Sequence, residues 1–418
     1  MIKWSRVRLY LSILSCEGLF ATGIERLQFS ENPTDEQAAA IKKVKQRRDA
    51  PLYDYAGAMH VHSTYSDGAG TVEDVAAAAN EAGLDFVLLC DHSNLDAITN
   101  GDDGWRGKTL VLVGTEVTTD TGHLLALDVP PSFLPVTLEA PQTQREIMGQ
   151  GGISLIALPC DLKDHWRDFD KRIPGTGLEV FNLSAIARTK INLPGLAMIW
   201  RRYNGPERDK AFHLVSARPD REIACWDSQI QPKSGERRYQ PVVGIASLDA
   251  HAVMKFAGKT YPFPTYAEIF RTLRTHVITE SPMSAKDDAA KSKALVHDAI
   301  RRGRCYMSYD NYGDASGFRY YALESLDAPV SSALMGDEIE AGEDKVLICR
   351  APHNRSIIRL FRDGKLVRTI LSGTLVHSAA QPGSYRVEVY SYKYRFGEFC
   401  AGVKPWIFSN PIYVQPTA

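Results

Sequence analysis

From Tyr55 onward the sequence alternates short apolar runs with stretches of helical periodicity, a pattern typical of a β/α fold. The runs FVLLC at 86–90 and LVLV at 110–113 are apolar throughout, as expected of parallel strands that are buried on both faces. VEDVAAAANEAG is the clearest helix, because Thr71 precedes it as a candidate N-cap and Gly83 ends it. The pattern therefore predicts a β/α body.

Seven segments of this body are predicted to be strands, with boundaries defined to within a few residues. They are Ala58–His62, Phe86–Cys90, Leu110–Glu116, His123–Asp128, Ile153–Leu158, Leu178–Asn182 and Val242–Leu248. Two later stretches, PTYAEIFRTLRTHV and AKSKALVHDAIRRG, are predicted to be helical, and the second ends at Gly303.

The helical pattern stops after about Gly317, and short alternating stretches follow. IIRLFRDGKLVRTI predicts a hairpin with Asp363-Gly364 as its two-residue turn. Together with YRVEVYSY and WIFSNPIYV, it indicates a small C-terminal β-sandwich. The predicted organisation is thus an N-terminal segment at 1–54, a β/α body at 55–310 and a sandwich at 317–418.

The composition is that of a soluble globular protein with a full core, with 44% hydrophobic and 24% charged residues. Lys and Arg total 49 against 50 for Asp and Glu, so the charge favours neither a nucleic acid nor an acidic membrane as a partner. We therefore expect no stable nucleic-acid partner. No stretch after the N-terminal region is long enough to predict a transmembrane span.

No CxxC pair occurs, so the cysteines predict neither a zinc knuckle nor a thioredoxin-like site. Their spacings do not resemble a disulfide framework either. The seven cysteines are Cys16, Cys90, Cys160, Cys225, Cys305, Cys349 and Cys400.

The N-terminus allows two interpretations. Basic residues up to Arg8 precede the apolar stretch Leu9–Leu14, which ends at Ser15-Cys16 and is similar to a short export signal with a lipoprotein cleavage site. The alternative is an amphipathic helix packed on the body. The protein is accordingly predicted to be either exported (periplasmic or a lipoprotein) or cytoplasmic. Residues from about 30 to 50 are predicted to form a polar helix or linker.

Side chains of metal-ligand type follow several of the predicted strands. A single strand-end His is usually structural, and an Asp after a strand is often a turn residue. Here four separate strand ends carry imidazoles or carboxylates, the ligands that suit zinc, manganese or iron. Functional residues of β/α barrels cluster at the carboxyl ends of the strands. The residues are His60, His62, Asp67, Asp91, His92, Glu116, His123, Asp249 and His251.

The motifs HVHSTYSDG, AGLDFVLLCDHSN, GTEVTT, GHLLAL and SLDAH occur in this order and resemble the successive motifs of the PHP (polymerase and histidinol phosphatase) superfamily. The resemblance covers roughly residues 57–310. It implies a distorted (β/α)7 barrel, similar to a TIM barrel, with two or three divalent metal ions at the strand carboxyl ends. The ions would be zinc, manganese or iron.

The resemblance also implies a role for each residue. The first metal would bind His60, His62 and Asp249, the second would bind His123 and share Glu116 with the first, and a third would bind Asp67, His92 and His251. Asp91 would orient a neighbouring ligand from behind.

One position departs from the family pattern. The family usually has His-Pro after the fifth strand, and that histidine binds the second metal, whereas IALPCD places Leu158 there. Leucine cannot coordinate a metal. Either Asp161, His165 or water completes the second site, or that site is weak or empty.

The predicted activity is metal-dependent hydrolysis by a metal-bridged hydroxide. The catalytic residues would be Glu116, Asp249 as ligand and proton acceptor, and His251, with His92 as another donor to the leaving group. The first hypothesis is a phosphoesterase that cleaves a phosphomonoester, a phosphodiester or a short oligonucleotide. The expected substrate is a phosphorylated small molecule. Arg106 or Arg218 could hold its phosphate.

Two alternatives stay open. The same centre could cleave a carbamate, amide or ester, since the C-terminal pattern resembles a sandwich found in a PHP subgroup with carbamate- and amide-cleaving members. Trp105, Trp166 and Trp226 could then line an apolar pocket, although core packing is their ordinary role. A degenerate, non-catalytic binding protein is the other alternative, and Leu158 is the residue that supports it. The sequence does not predict an oligomeric state.

Overall fold

The computed structural model describes residues 24–26, 35–47, 51–161, 165–206, 208–233, 235–256, 259–286, 288–397 and 399–417. The predicted export signal and lipoprotein site, at Lys3 to Cys16, lie outside these residues. The polar helix or linker expected at about 30–50 contains a helix at Asp35–Gln46. None of the helices in the described part of the chain is both long and apolar enough to cross a membrane.

The strands of the described residues are, in chain order, β1 (Ile24–Arg26), β2 (Tyr53–Val61), β3 (Phe86–His92), β4 (Gly104–Arg106), β5 (Thr109–Thr118), β6 (His123–Leu127), β7 (Ile153–Ala157), β8 (Gly177–Asn182), β9 (Gly244–Ser247), β10 (Met254–Phe256), β11 (Lys259–Tyr261), β12 (Arg274–Thr279), β13 (Cys305–Ser308), β14 (Arg319–Leu323), β15 (Ala333–Leu334), β16 (Glu338–Glu340), β17 (Val346–Arg350), β18 (Ser356–Arg362), β19 (Lys365–Leu371), β20 (Thr374–Ser378), β21 (Gly383–Ser391), β22 (Tyr394–Phe396), β23 (Phe399–Ala401), β24 (Lys404–Ser409) and β25 (Ile412–Gln415). The α-helices are α1 (Asp35–Gln46), α2 (Val72–Ala82), α3 (Asp96–Thr99), α4 (Ala140–Gly149), α5 (Leu183–Lys190), α6 (Leu193–Tyr203), α7 (Asp220–Ile230), α8 (Tyr266–Phe270) and α9 (Ala289–Arg302).

The seven predicted strands correspond to β2, β3 and β5 to β9, each within a few residues of its expected position. They lie side by side in this order within the largest sheet, which has 16 strands among the described residues. β2–β3, β3–β5, β7–β8 and β8–β9 are parallel, whereas β6 is antiparallel to both its neighbours. The fold is therefore mixed α/β, as expected from the alternating apolar runs.

The apolar run of β3 is buried on both faces of the sheet. Val87 and Leu89 enter one hydrophobic cluster, which also contains residues of α2. Phe86 and Leu88 enter the cluster on the opposite face. This double burial explains why the strand shows no polar alternation.

Backbone hydrogen bonds also join the segment after β9 to β2, which lies at the other end of this group of strands. The amide of Leu248 donates to the Met59 carbonyl at 3.0 Å, and the amide of Ala250 donates to the His60 carbonyl at 3.1 Å. The His62 amide in turn donates to the Ala250 carbonyl at 3.0 Å. The seventh strand thus continues alongside the first, and brings their carboxyl ends together.

The helix α2 begins and ends where its sequence signals predict. The Thr71 side chain accepts from the amide of Asp74, whose carboxylate accepts from the Thr71 amide, so the two form a capping box. Gly83 has a φ of 72° and ends the helix in the left-handed conformation. The predicted helix near residue 300 is likewise present as α9, and ends at Gly303.

The helix predicted for PTYAEIFRTLRTHV is wrong over most of its length. Only α8 is helical, from its N-cap Thr265 to Phe270. From Arg274 onward the segment is β12, which pairs antiparallel with β2 and with β13. Thr275 and Val277 are β-branched, and the sheet edge offered by β2 decides their conformation.

Some of the C-terminal strands continue the large sheet, and others form a sheet of their own. β13 pairs with β24, with Tyr306 opposite Ser409, and the sheet continues through β21 and β25. A separate antiparallel sheet has the order β15-β14-β17-β20. Residues of both sheets, among them Leu347 and Val387, share one hydrophobic core. The predicted domain boundaries at 310 and 317 remain predictions.

The predicted hairpin is present as β18 and β19, joined at Asp363-Gly364. Both turn residues have positive φ, 53° and 75°, as a two-residue turn of this kind requires.

Candidate metal centre

The Glu116 carboxylate near the end of β5 lies at the centre of four imidazoles. Its Oε2 atom is 3.2 Å from His60 Nε2, 3.5 Å from His62 Nε2 and 3.1 Å from His92 Nδ1. Its Oε1 atom is 3.3 Å from His123 Nδ1. Both carboxylate oxygens thus face ring nitrogens contributed by three chain segments, those of β2, β3 and β6.

A second carboxylate, that of Asp67, lies on the solvent side of the cluster. Its Oδ1 atom is 3.0 Å from His251 Nε2, 3.6 Å from His92 Nε2 and 3.8 Å from His62 Nδ1. The His62 and His251 rings stack with their centroids 4.1 Å apart.

Asp249 completes the cluster from the segment after β9. Its Oδ1 atom is 3.6 Å from His62 Nε2 and 3.5 Å from His251 Nδ1. The structure thus brings together all eight residues predicted as metal ligands, although their coordination of a metal remains a prediction. Among the residues that the structure describes, two groups have ligand atoms close enough to hold an ion: His62, Asp67, His92 and His251, and His60, His62 and Glu116.

Left-handed backbone conformations position several of these residues. His60 has a φ of 60° inside β2, where the register with β3 shifts between Ala58 and Val61. Asp249 has a φ of 50°. Such angles cost non-glycine residues about 1–3 kcal/mol each, and they cluster at functional sites. His60 and His62 both face the Glu116 carboxylate, but because the backbone is distorted at His60, regular strand alternation does not explain this arrangement.

Asp91 holds the loop that carries Asp67. Its carboxylate accepts from the Ser63 amide at 2.8 Å and from the Ser63 and Ser66 hydroxyls at 2.7 and 2.6 Å. Ser66 Oγ is in turn 3.4 Å from His62 Nδ1. Asp91 therefore acts on His62 through a serine.

The sequence reasoning missed Glu179, which orients His60. The Oε1 atom of Glu179 is 2.6 Å from His60 Nδ1, and both side chains are fully buried. Its Oε2 atom accepts from the Leu158 amide at 3.0 Å and from the Asn182 side chain at 3.2 Å. An acid in the middle of the otherwise apolar run GLEVF was the signal that could have identified it, since such a residue is rarely buried without a partner.

Burial and neighbouring charges set opposite protonation preferences inside the cluster. Burial alone would lower the pKa of His60, but Glu179 and Glu116 raise it well above the ordinary value. Burial, together with nearby imidazoles such as His60 and His251, lowers the pKa of His62. Burial opposes ionisation of Glu116, yet the imidazoles, His60 foremost, lower its pKa to about 2. Burial also raises the pKa of Asp249.

This donor set fits divalent cations. The Nε2 atoms of His60 and His62 are buried, and neither makes a hydrogen bond of acceptable geometry among the described residues. Such buried nitrogens are costly unless something binds them. A neutral imidazole is the form that binds a metal, and the low pKa of His62 keeps it neutral.

Leu158 occupies the position where the family resemblance places a further histidine. It follows β7 with a φ of 50°, and its side chain is buried in the hydrophobic cluster that includes Leu155. Of the two candidates to replace that histidine, Asp161 is buried and bound to Arg188. His165 has an exposed side chain, although its carbonyl lies beside Gly122, next to His123. Neither belongs to the two groups whose ligand atoms are close enough to hold an ion.

Arg188, on α5, is a second residue that the sequence reasoning missed. Its Nε atom donates to Asp161 Oδ2 at 3.1 Å, and its Nη2 atom lies 3.0 Å from the same oxygen and 3.8 Å from Asp249 Oδ2. Its Nη1 atom donates to Ser184 at 3.0 Å. The side chain is 40% exposed, so a cationic group lies at the edge of the cluster and remains open to solvent.

The two arginines predicted to hold phosphate have other partners. Arg218 makes a bidentate pair with Glu388 of β21, at 2.9 and 2.7 Å, which ties its loop to the C-terminal strands. Arg106 donates to the Gly101 carbonyl at 3.0 Å, and lies 3.8 Å from Asp102. Arg188 is the better placed cation.

The tryptophans proposed for an apolar pocket are largely in the core. Trp166 and Trp226 are buried, and their ring N–H groups donate to the carbonyls of Asp168 and Val242. Trp105 lies on β4 and packs against the core on one face of the sheet.

Comparisons with known proteins give one family match. The chain matches the PHP domain over residues 58–193, a range that holds six of the eight clustered residues. A search of curated proteins finds no match.

Among solved structures, the chain is similar to a two-domain protein from Bacteroides vulgatus that contains a predicted PHP-like metal-dependent phosphoesterase. The identity is 13%, with a TM-score of 0.38 over 86% of this chain and 97% of that one. It is also similar to a protein from Bifidobacterium adolescentis assigned as a metal-dependent phosphoesterase, at 15% identity and a TM-score of 0.25, over 49% and 88% of the two chains. A third structure is an amidohydrolase from Chromobacterium violaceum with bound sulfate and no metal, at 15% identity and a TM-score of 0.29, over 50% and 92%.

Proposed function

We propose that this chain, which matches the PHP domain over residues 58–193, is a metal-dependent hydrolase of phosphate esters. The observation that carries the proposal is the position of Glu116, whose two oxygens face the ring nitrogens of His60, His62, His92 and His123. A buried carboxylate among imidazoles is a donor set for divalent zinc, manganese or iron.

We propose that the eight clustered residues hold two or three such ions. His60, His62 and Glu116 would form one site. Asp67, His92 and His251 would supply another, because the neutral His62 has one free nitrogen lone pair and can bind one ion. When bound, the ions supply Lewis acidity and lower the pKa of water from 15.7 to about 7. Leu158 leaves the second site of the family pattern one imidazole short, so we propose that this site has the weakest affinity.

The chain's own residues then have distinct tasks. Asp249, whose pKa is raised by burial, would accept a proton from the attacking water, because a base of raised pKa is better matched to neutral pH. His251 or His92, near the outer carboxylate Asp67, would donate a proton to the leaving group. Glu179 would hold His60 in one orientation.

Arg188 favours a phosphate ester over an uncharged ester. Its guanidinium lies at the edge of the cluster, beside Asp249 and partly exposed. It would contact the substrate phosphate through its Nη atoms. Trp166 and Trp226 are core residues and therefore do not line the apolar pocket expected for aryl esters. The carbamate, amide or ester alternative is the weaker one for this reason.

Two features of the fold support the assignment to the PHP type. We propose that the bonds between β2 and the Leu248–Ala250 segment close β2, β3 and β5 to β9 into the distorted (β/α)7 barrel of the family. We propose likewise that the two C-terminal sheets, which share a core, are the predicted β-sandwich. The cluster would then lie at the carboxyl mouth of the barrel.

Turnover of chromogenic substrates tests the proposal. The purified full-length chain is assayed with p-nitrophenyl phosphate, bis(p-nitrophenyl) phosphate and p-nitrophenyl acetate, with metal content measured in the same samples. We expect turnover of a phosphate ester that chelation abolishes and manganese or zinc restores. Protein that carries metal but cleaves only the acetate would favour the ester alternative. Metal-loaded protein without turnover of any substrate would favour the non-catalytic one.

A further inference from the structure

Cys160 lies in the turn after β7, two residues beyond Leu158 and next to Asp161. Its Sγ atom is 3.9 Å from the carbonyl oxygen of Arg221, at the start of α7. The side chain is partly exposed. The thiol therefore sits against the first turn of a helix that the chain reaches about 60 residues later.

Cys225 lies one helical turn after Arg221, so its side chain is on the same face of α7 as the carbonyl that Cys160 contacts. Each thiol shifts the pKa of the other, lowering that of Cys160 and raising that of Cys225, as expected of two side chains close in space. Both are partly exposed, whereas the cysteines at 90, 305, 349 and 400 are buried. The fold thus brings together two thiols that lie far apart in sequence.

We propose that Cys160 and Cys225 are a redox modification site, which a low-molecular-weight disulfide such as oxidised glutathione converts to an intramolecular disulfide. One cysteine thiolate attacks a glutathione sulfur, forms a mixed disulfide and releases one glutathione thiolate. The other thiolate then attacks the mixed disulfide and releases the second glutathione. The pair loses two electrons and two protons, and two molecules of glutathione are formed.

This bond would fix the turn that carries Asp161 beside the metal centre. The buried Asp161 carboxylate holds Arg188, which lies 3.8 Å from Asp249. The disulfide would link that turn to α7, and it would also remove the freedom of a long loop in the unfolded chain. The link to the cluster rests on the proposed function, but formation of the bond does not.

Peptide mapping of the full chain tests the bond without any assay of activity. The protein is equilibrated in glutathione buffers of increasing oxidation, quenched in acid, alkylated, digested and examined by mass spectrometry. We expect one cross-linked species that joins Cys160 to Cys225 and disappears after reduction, while the buried Cys305 stays alkylatable after unfolding. Both cysteines recovered free, or each separately bound to glutathione, would overturn the proposal.

Thermal unfolding tests whether the bond fixes the turn. Oxidised wild-type protein should have a Tm several degrees above that of the reduced protein, and Cys225→Ser should abolish the difference. Cys305→Ala is the control, because it removes a cysteine outside the pair and should retain the redox-dependent shift. Equal Tm values for cross-linked and reduced wild type would contradict the fixing of the turn. Neither readout depends on turnover, so a failed phosphoesterase assay leaves this result interpretable.

Discussion

The Nδ1 atom of His60 lies 2.6 Å from the Oε1 atom of Glu179, and both side chains are fully buried. This pair fixes which nitrogen of His60 faces Glu116, since Nδ1 is engaged and Nε2 points to the cluster. A carboxylate behind a ligand histidine orients the ring and raises its basicity as a ligand. Glu179 is not itself one of the clustered residues, but through His60 it should affect the affinity of the cluster for metal.

Glu179→Gln tests this link, because the amide preserves the shape and removes the charge. We expect metal affinity to fall about 10–100-fold, since partners behind a ligand typically contribute that much. Metal titration followed by calorimetry measures it. The control is Glu73→Gln, on an exposed position of α2, which should bind metal as the wild type does. Unchanged affinity in folded Glu179→Gln would remove Glu179 from any role in the site.

Leu158→His restores the imidazole that the family pattern places after β7. We expect the metal content or the rate to rise, because the Leu158 backbone lies one residue from Ala157, which pairs with His123. Leu158→Asn is the control, since Asn tolerates the left-handed backbone but supplies no imidazole. If the His variant folds and neither quantity exceeds that of the Asn variant, another residue already fills the position.

Arg188→Gln should weaken the binding of a phosphate ester while leaving metal content nearly unchanged. Loss of a hydrogen bond to a charged group costs about 1.5–3 kcal/mol, or roughly a 10–100-fold fall in kcat/KM. Arg201→Gln, on an exposed position of α6, serves as control. Steady-state kinetics of both variants decide, and an unchanged kcat/KM for Arg188→Gln would exclude phosphate binding by this residue.

His276 should make the stability of the protein depend on pH at the junction of β12 with β2. It is buried between Asp54, 3.0 Å from Nδ1, and Asp310, 3.4 Å from Nε2. Burial would lower the pKa of His276, but the two carboxylates raise it to about 9. A raised pKa means that the stabilisation is complete below about 6.5 and is lost as the pH rises through 9, and its upper limit is on the order of 3 kcal/mol.

Chemical denaturation between pH 6 and pH 10 measures this effect. His276→Gln should lower the stability at pH 6 and flatten its decline toward pH 10. His297→Gln is the control, because His297 pairs with the half-exposed Asp128 outside this cluster. A wild-type profile that matches that of His276→Gln would show that the imidazole stays neutral in the folded protein.

Much of the fold and of the site follows from the sequence because local signals agree with tertiary ones. The apolar runs of β3 and β5 are strands, since both faces are buried. The ligand-type residues occur at strand ends, and parallel strands bring such ends together. Composition alone does not assign a role to any residue. The order of the motifs does, because it matches each ligand-type residue to a position in the family pattern.

Other features depended on contacts that no local pattern encodes. The segment around Thr275 and Val277 has a helical apolar period, yet it pairs with β2 and becomes a strand. Arg218 has the charge to bind phosphate, but it is paired with Glu388, which lies 170 residues later in the sequence. Glu179 and Arg188 became candidates only when folding placed them beside His60 and Asp249.

Glu116→Gln is the most direct test of the central claim, that one carboxylate among four imidazoles organises a catalytic metal centre. Metal content and phosphate-ester turnover are measured on the same samples, with Glu139→Gln, an exposed acid, as control. Loss of the charge should expel at least one ion and lower turnover at neutral pH by several orders of magnitude, while the fold is retained. A folded Glu116→Gln protein with full metal content and near-normal turnover would contradict the account.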